Sequence, residues 1–274
     1  MQKSLTTKHI RHHKKEKNHR NLSMLTCYDF QTAQLLNDTD LDMILVGDSL
    51  GNVVLGFDST IPVSLDNMIL FGQAVRKGAP EKFLVLDLPF GSTNSYEVGL
   101  ENACKLFQQT GAQAVKLEGA YADNLKIIKR LTEIGVAVMG HIGLTPQSVH
   151  QLGGYYTHGK TQHEHNELLN QAKLLEAAGI FSLVLECVQK DVAKSITENI
   201  SIPTIGIGSG EHVDGQVLVI NDLFHQGKND PPKFCTPVAN FYELKKNYLL
   251  QYLTSLNPPS KSINPEGLHA APLS

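Results

Sequence analysis

The chain has 274 residues, of which 41% are apolar and 19% charged, with a formal net charge of −3. This is enough for one large domain with a real core, and no apolar run is long enough to span a bilayer, so a membrane-spanning protein is excluded as an expectation. Four scattered cysteines (Cys27, Cys104, Cys187, Cys235) show no CxxC spacing, so neither a zinc site nor a disulfide framework is indicated, and a reducing cytoplasm is the expected location. From the N-terminus, residues 1–20 hold seven Lys and Arg against Glu16, a balance of +6 that leaves −9 for the rest. With no interleaved aromatics and an acidic body, this basic start reads as a solvated leading helix rather than a nucleic-acid arm. Short apolar runs then recur: 23–28, 43–46, 83–87, 114–118, 136–141, 182–186, 203–207 and 216–220 read as strands. Helical patterns lie between them. One starts at an N-cap, Ser64, and two others end in the C-cap glycines Gly135 and Gly179. The helix signals after the first and seventh strands are the weakest. The last stretch, 257–274, is proline-rich and aperiodic and reads as a mobile tail behind a single domain over 1–256.

Eight strands alternating with helices predict a (β/α)8 barrel. The competing fold is a doubly wound open sheet, and the lack of a GxGxxG fingerprint after the first strand counts against a dinucleotide-binding version of it. In a barrel the C-terminal strand ends build the active site. Here those ends carry Asp48 and Ser49, Asp87, Lys116 and Glu118, His141, Glu186, and Asn221-Asp222. Each has an ordinary structural explanation. Asp48 and Ser49 can cap a turn, Asp87 can open a loop, Lys116 and Glu118 can pair, and His141 can be a satisfied core histidine. Glu186, closing the apolar run SLVLE, is the hardest to explain that way. Carboxylates from four strands in one mouth would repel one another unless protons or a cation intervened, and hard oxygen donors suit magnesium better than zinc.

The strings VGDSLGNVVLGFDSTIPVSLDNM, DLPFGS, GAQAVKLEG, GHIGLTPQSVHQLGGY, LVLECV and IPTIGIGSGEHVDGQVLVINDLF resemble the ketopantoate hydroxymethyltransferase family over residues 22 to 250. The resemblance implies a (β/α)8 barrel of the phosphoenolpyruvate/pyruvate type in a homo-oligomer, a decamer. It also implies transfer of a one-carbon unit from 5,10-methylenetetrahydrofolate to 3-methyl-2-oxobutanoate, giving 2-dehydropantoate by magnesium-assisted enolate formation, the first committed step of pantothenate biosynthesis. By motif, Asp48 and Asp87 resemble the family's Mg2+ ligands, with Glu118 completing the site through water. Ser49 and Lys116 resemble the keto-acid-binding groups and Glu186 the general base, with His141 at the same site. No nucleic acid or membrane is expected as a partner. Ala120, Tyr156, Glu211, His212 and the spacer FHQGKNDPPKF depart from the family pattern and bear on folate affinity and loop behaviour. Two rival readings remain. An isocitrate-lyase-like enzyme would need a KKCGH-like string, which is absent, and a scaffold that had lost catalysis would not be expected to keep every charged group.

Overall fold

The computed structural model describes residues 5–15 and 20–256. The expected tail over 257–274 lies outside the described residues. In chain order the elements are α1 (Thr7–Arg11), β1 (Leu22–Thr26), α2 (Phe30–Asn37), β2 (Met43–Val46), α3 (Leu50–Val53), α4 (Leu65–Gly78) and β3 (Phe83–Asp87). There follow α5 (Tyr96–Thr110), β4 (Ala114–Glu118), α6 (Ala122–Glu133), β5 (Ala137–Gly143), α7 (Val149–Leu152), α8 (Gln162–Ala178) and β6 (Ser182–Glu186). The last are α9 (Lys190–Asn199), β7 (Thr204–Ile207), β8 (Gly215–Leu218), α10 (Ile220–Leu223) and α11 (Phe241–Leu256). The eight strands are parallel and close on themselves, β8 pairing with β1 from Leu22↔Gly215 to Leu25↔Leu218. This is the expected barrel and not an open sheet.

Side chains alternate along a strand, so each barrel strand has one inward and one outward stripe. The inward residues of the lower barrel are apolar: Leu22, Met24, Met43, Leu45, Phe83, Val85, Ala114, Met139, Phe181 and Ile205 form one buried cluster, with the Phe83 and Phe181 rings 5.6 Å apart. The outward stripe, with residues such as Ile44, Leu84, Leu86, Val115 and Leu183, joins the helices in a second cluster. With both faces covered, the strands read as continuous apolar runs. The caps follow the sequence signals. Ser64 accepts from Asn67 N in a reciprocal capping box before α4, and Gly179 ends α8 in the left-handed conformation. Gly135, expected as a cap, lies one residue past the cap Ile134 and also has a positive φ of 94°.

Two expectations are corrected. The leading helix is not wholly solvated. Over the described residues it is the short α1 followed by a 3-10 turn (His13–Lys15), and Ile10 is fully buried among the bottom-layer residues of the barrel. Three of the segment's described cations are used internally. Lys14 Nζ donates to Thr197 O (2.6 Å) and Ile200 O (3.0 Å) and stands 3.2 Å from Asp214 Oδ2, while Arg11 donates to Gly179 O. Arg20 grips Asp42 with two bonds of 2.7 and 2.6 Å. Secondly, no helix separates β7 from β8 among the described residues; Gly208–Asp214 alone makes the return. Past the barrel, α11 buries none of its residues and exposes Tyr248, Leu249 and Tyr252. No described helix is long and apolar enough to cross a membrane.

Removing the bottom plug tests its role. Ile10→Ala should cost about 2–4 kcal/mol, the usual worth of a fully buried aliphatic side chain that leaves a cavity. Urea unfolding would measure this, and a loss under about 0.5 kcal/mol, the scale of a surface change, would show that the segment is only laid against the barrel.

Candidate active site

The same inward stripe that is apolar below turns ionisable at the top. On β3 it runs Phe83, Val85, Asp87; on β4 Ala114, Lys116, Glu118; on β5 Ala137, Met139, His141; and on β6 it ends at Glu186. Register brings these neighbours side by side, with Asp87 opposite Lys116, Glu118 opposite His141, and Gly143 opposite Glu186. Asp48 and Ser49 follow β2. All seven predicted site residues, Asp48, Ser49, Asp87, Lys116, Glu118, His141 and Glu186, line one cavity of about 480 Å3.

Lys116 stands among the acids. Its Nζ is 3.0 Å from Asp87 Oδ1 and 3.0 Å from His141 Nδ1. Burial alone would lower its titration, but the charges of Asp87, Glu118 and Asp48 outweigh burial and raise it. His141 Nδ1 is also 3.5 Å from Glu118 Oε1, and its Nε2 is 3.3 Å from Glu186 Oε2. Burial and Lys116 push the imidazole down, yet its contacts with Glu118 and Glu186 carry it up to about 9. A charged Lys116 this close to Nδ1 needs that nitrogen as acceptor, which places the ring proton of the neutral tautomer on Nε2, facing Glu186. Adding a second ring proton competes with the lysine contact.

The carboxylates differ in their surroundings. Asp48 is raised well above the ordinary range by burial and by the charges of Asp87 and Glu118. Asp87 is raised by burial, with Lys116 opposing. Burial also pushes Glu118 up, but His141 and Lys116 bring it below its ordinary value. Glu186 has the most exposed side chain of the four, 19% against 4% for Asp87 and 6% for Glu118, so it is the carboxylate an entering molecule reaches most freely. The residue after it, Cys187, sits at φ +47°, a strained value for a side-chain-bearing residue at the rim of the site. Across from it, a Cβ on Gly143 would fall 2.3 Å from Glu186 O, so only glycine permits this approach of β5 to β6.

Two supporting residues emerge from the structure. Gln147, in the short turn Pro146–Ser148 after β5, donates through Nε2 to Asp48 Oδ2 (2.8 Å) and Leu88 O (2.9 Å), while its backbone N–H donates to Glu118 Oε2 (3.2 Å). It lies within the string GLTPQS, but a neutral residue four positions beyond a glycine-terminated strand carries no charge signal of its own. Tyr28, buried at the end of β1, shares a 2.7 Å hydrogen bond with Ser49 Oγ.

The donor set fits a hard divalent cation. The Asp48 backbone N–H donates to Asp87 Oδ2 (3.1 Å), placing the two acids side by side, and the other oxygen of Asp87, Oδ1, meets only Lys116 Nζ. Among the described residues no three His, Cys, Asp or Glu side chains enclose a site by themselves. Magnesium does not require that, because it is commonly held by one or two carboxylates with water and substrate oxygens completing the shell.

A closed parallel barrel whose C-terminal mouth gathers acids, a lysine and a histidine in one cavity defines an enzyme of the (β/α)8 class. Solved barrels agree in fold: phosphonopyruvate hydrolase (TM-score 0.59, 11% identity, covering 92% of this chain and 99% of that one) and 2,3-dimethylmalate lyase of the PEP mutase/isocitrate lyase superfamily (TM-score 0.59, 12% identity, 95% and 93%). The ketopantoate hydroxymethyltransferase profile matches residues 4–258. The 3-methyl-2-oxobutanoate hydroxymethyltransferases of Geobacillus sp. (strain WCH70) and Thermosipho africanus (strain TCF52B) are each 50% identical, over 85% and 87% of this chain and 84% and 89% of their own lengths. The chain belongs to the ketopantoate hydroxymethyltransferase family.

Gln147 gives a direct test of the electrostatics. Gln147→Leu keeps the volume and removes the Nε2 donor that lowers the titration of Asp48. The Asp48 carboxyl should therefore titrate at still higher pH, read from its 13C carboxyl resonance. An unchanged or lower value would show that the amide does not act on Asp48.

Proposed function

We propose that this chain is a 3-methyl-2-oxobutanoate hydroxymethyltransferase, which moves the one-carbon unit of 5,10-methylenetetrahydrofolate onto C3 of the keto acid to give 2-dehydropantoate, in pantothenate biosynthesis. The observation that carries the reading is the convergence of Asp48, Asp87, Lys116, Glu118, His141 and Glu186 on one cavity, in a chain 50% identical to enzymes of that name.

Asp48 and Asp87 would hold Mg2+ directly, with Glu118 in support through water. When bound, Mg2+ would draw electron density from the keto oxygen and so ease loss of the C3 proton. The remaining work falls to the chain's own groups. Lys116 sets its positive charge against the substrate carboxylate. Ser49, fixed by Tyr28, adds a hydroxyl to the same end of the molecule. Glu186 Oε2 takes the C3 proton, and His141 Nε2, 3.3 Å away, orients that carboxylate and shares its charge. The C3–H bonding pair becomes the new bond to the one-carbon unit. Water supplies the oxygen of the transferred hydroxymethyl group, and tetrahydrofolate leaves. The buried surroundings of Asp48, Asp87 and Lys116 strengthen each of these interactions. The exposed apolar side chains of α11 support burial against a second copy, as in the homo-oligomer expected from the family.

Two experiments test the roles. Calorimetric titration with Mg2+ should show binding by the parent protein and its loss in Asp48→Ala and Asp87→Ala, with a smaller loss in Glu118→Gln. Magnesium binding by Asp87→Ala as tight as in the parent would remove the metal assignment. For the base, the parent protein with Mg2+ and keto acid alone should exchange the C3 hydrogen with deuterated water. Glu186→Gln should slow this by roughly 10²–10⁴-fold, the worth of a positioned general base. If Glu186→Gln exchanges normally and His141→Asn does not, the histidine is the base.

A further inference from the structure

The charged floor of the cavity accounts for the keto acid, and much of the lining is left over. A volume of about 480 Å3 lies in the range of roughly 300–1,000 Å3 that suits much larger ligands. Part of the unused wall is of another character: Leu218, Val219, Pro232 and Phe234, with the acid Asp222, while a second unused acid, Asp58, also lines the cavity. Asp222 follows β8 and is half-buried, and its carboxylate makes no hydrogen bond or ion pair among the described residues. Burial lifts its titration, with the nearby His225 opposing. Its charge acts on both Tyr28, the partner of Ser49, and the Cys235 thiol. The acid therefore stands between the keto-acid end of the cavity and the turn that carries Phe234.

Phe234 is held in place and yet is 42% exposed, so one part of the ring is free to meet a ligand. Its turn is closed by Cys235 N–H donating to Pro232 O (2.8 Å) and tied to α10 by Val238 N–H donating to Leu223 O (2.9 Å). The ring lies on Gly208, whose φ is +63° and where a Cβ would come within 2.9 Å of Phe234 Cδ1. On its other side Phe234 borders a second recess of about 530 Å3, which also contains Lys190, His212 and the opposing Glu211. Lys190 has no ion pair among the described residues. One aromatic side chain thus separates an inner cavity with an unpaired acid from an outer recess with an unpaired cation.

Resting on the function proposed above, we infer that the one-carbon donor lies across Phe234, its pterin edge on Asp222 in the inner cavity and its glutamate carboxylates at Lys190 and His212 in the outer recess. A pterin presents a 2-amino group and a ring N–H side by side, which match the two acceptor oxygens of one carboxylate as a guanidinium does. The flat ring system suits an aromatic neighbour. Direction follows from the chemistry of the donor. The transferable carbon bridges the pterin and the aminobenzoyl group, so the pterin end must enter for that carbon to reach C3, and the acidic tail must trail outward. The short glycine-rich return between β7 and β8 provides that outward path where a longer crossover would cover it.

The test separates the donor from the keto acid. Asp222→Asn should raise the KM for methylenetetrahydrofolate by roughly tenfold or more, the scale of a lost charge-assisted pair. It should weaken tetrahydrofolate, which lacks the transferable carbon, by a similar factor in calorimetry. Donor-free C3 exchange should stay within about twofold of the parent, well under the effect of a lost pair. Lys190→Ala, a surface change that does not threaten folding, should raise the donor KM about three- to tenfold, more for a γ-polyglutamyl donor than for the monoglutamate. An unchanged donor KM and tetrahydrofolate affinity in Asp222→Asn would overturn the pterin anchor, as would equal loss of exchange and donor binding. Equal behaviour of Lys190→Ala and the parent towards both donors would overturn the tail site. Absence of exchange in the parent protein would count instead against the proposed function, so the two failures are distinguishable.

Discussion

Four carboxylates in the half-dry mouth of a barrel cannot all remain ionised without counter-charge, and Lys116, with His141 beside it, is what the chain supplies. Its ammonium, 3.0 Å from both Asp87 Oδ1 and His141 Nδ1, ties three strands of the upper barrel together electrostatically. One lysine does not neutralise the group. The excess is visible in the raised titrations of Asp48 and Asp87, whose first cause is burial and whose second, for Asp48, is mutual repulsion. An arrangement of this kind is costly, and the cost must be offset elsewhere in the fold.

The offset lies at the other end of the same strands. Below the site the inward stripe is filled by large apolar side chains, closed off by Ile10 from the leading segment. Lys14 and Asp214 fasten that segment, and Asp214 Oδ2 also accepts from Thr204 N–H (2.8 Å), so a single acid joins the N-terminal strap to β7. Stability is concentrated at the bottom and unsatisfied charge at the top. Because a strand alternates with a period of two, the separation needs no special element. Replacing apolar residues with Asp87, Glu118, His141 and Glu186 at the last inward position of β3 to β6 is enough.

This is also why so much could be read from the sequence. A strand covered on both faces is a continuous apolar run, and a charge at its end stands out, so the strands and the seven site residues were legible together. The ends of several strands shifted by one or two residues, as for β5, which runs on to Gly143 past the expected end at His141. What stayed hidden was set by distant contacts. The plug role of Ile10 depends on a barrel floor assembled from residues far along the chain. Gln147 acts through an amide that spans 99 positions to reach Asp48, and an uncharged side chain leaves no mark in a pattern of charge and hydropathy. The missing helix between β7 and β8 follows from strands of only four residues, short enough for seven intervening residues to bring the chain back.

Local surroundings then divide residues of one chemical type among different tasks. Asp48 and Asp87 share a buried edge, joined by a backbone hydrogen bond, and their raised titrations suit them to a cation that would replace the missing counter-charge. Glu118 is as deeply buried, but His141, Lys116 and the Gln147 backbone hold it as an anion, which suits a supporting role. Glu186 opens furthest to the cavity, next to the strained Cys187 and opposite the glycine that lets β5 and β6 approach. Asp222 follows β8 and lines the same cavity as Phe234, with no protein cation bonded to it among the described residues. On the function proposed above, the first two would take a metal, the third its neighbours, the fourth a substrate proton within reach, and the fifth a ligand with paired N–H groups. A keto acid, a divalent cation and a pterin would meet these requirements together, so the two substrates can occupy one mouth without competing for the same acid.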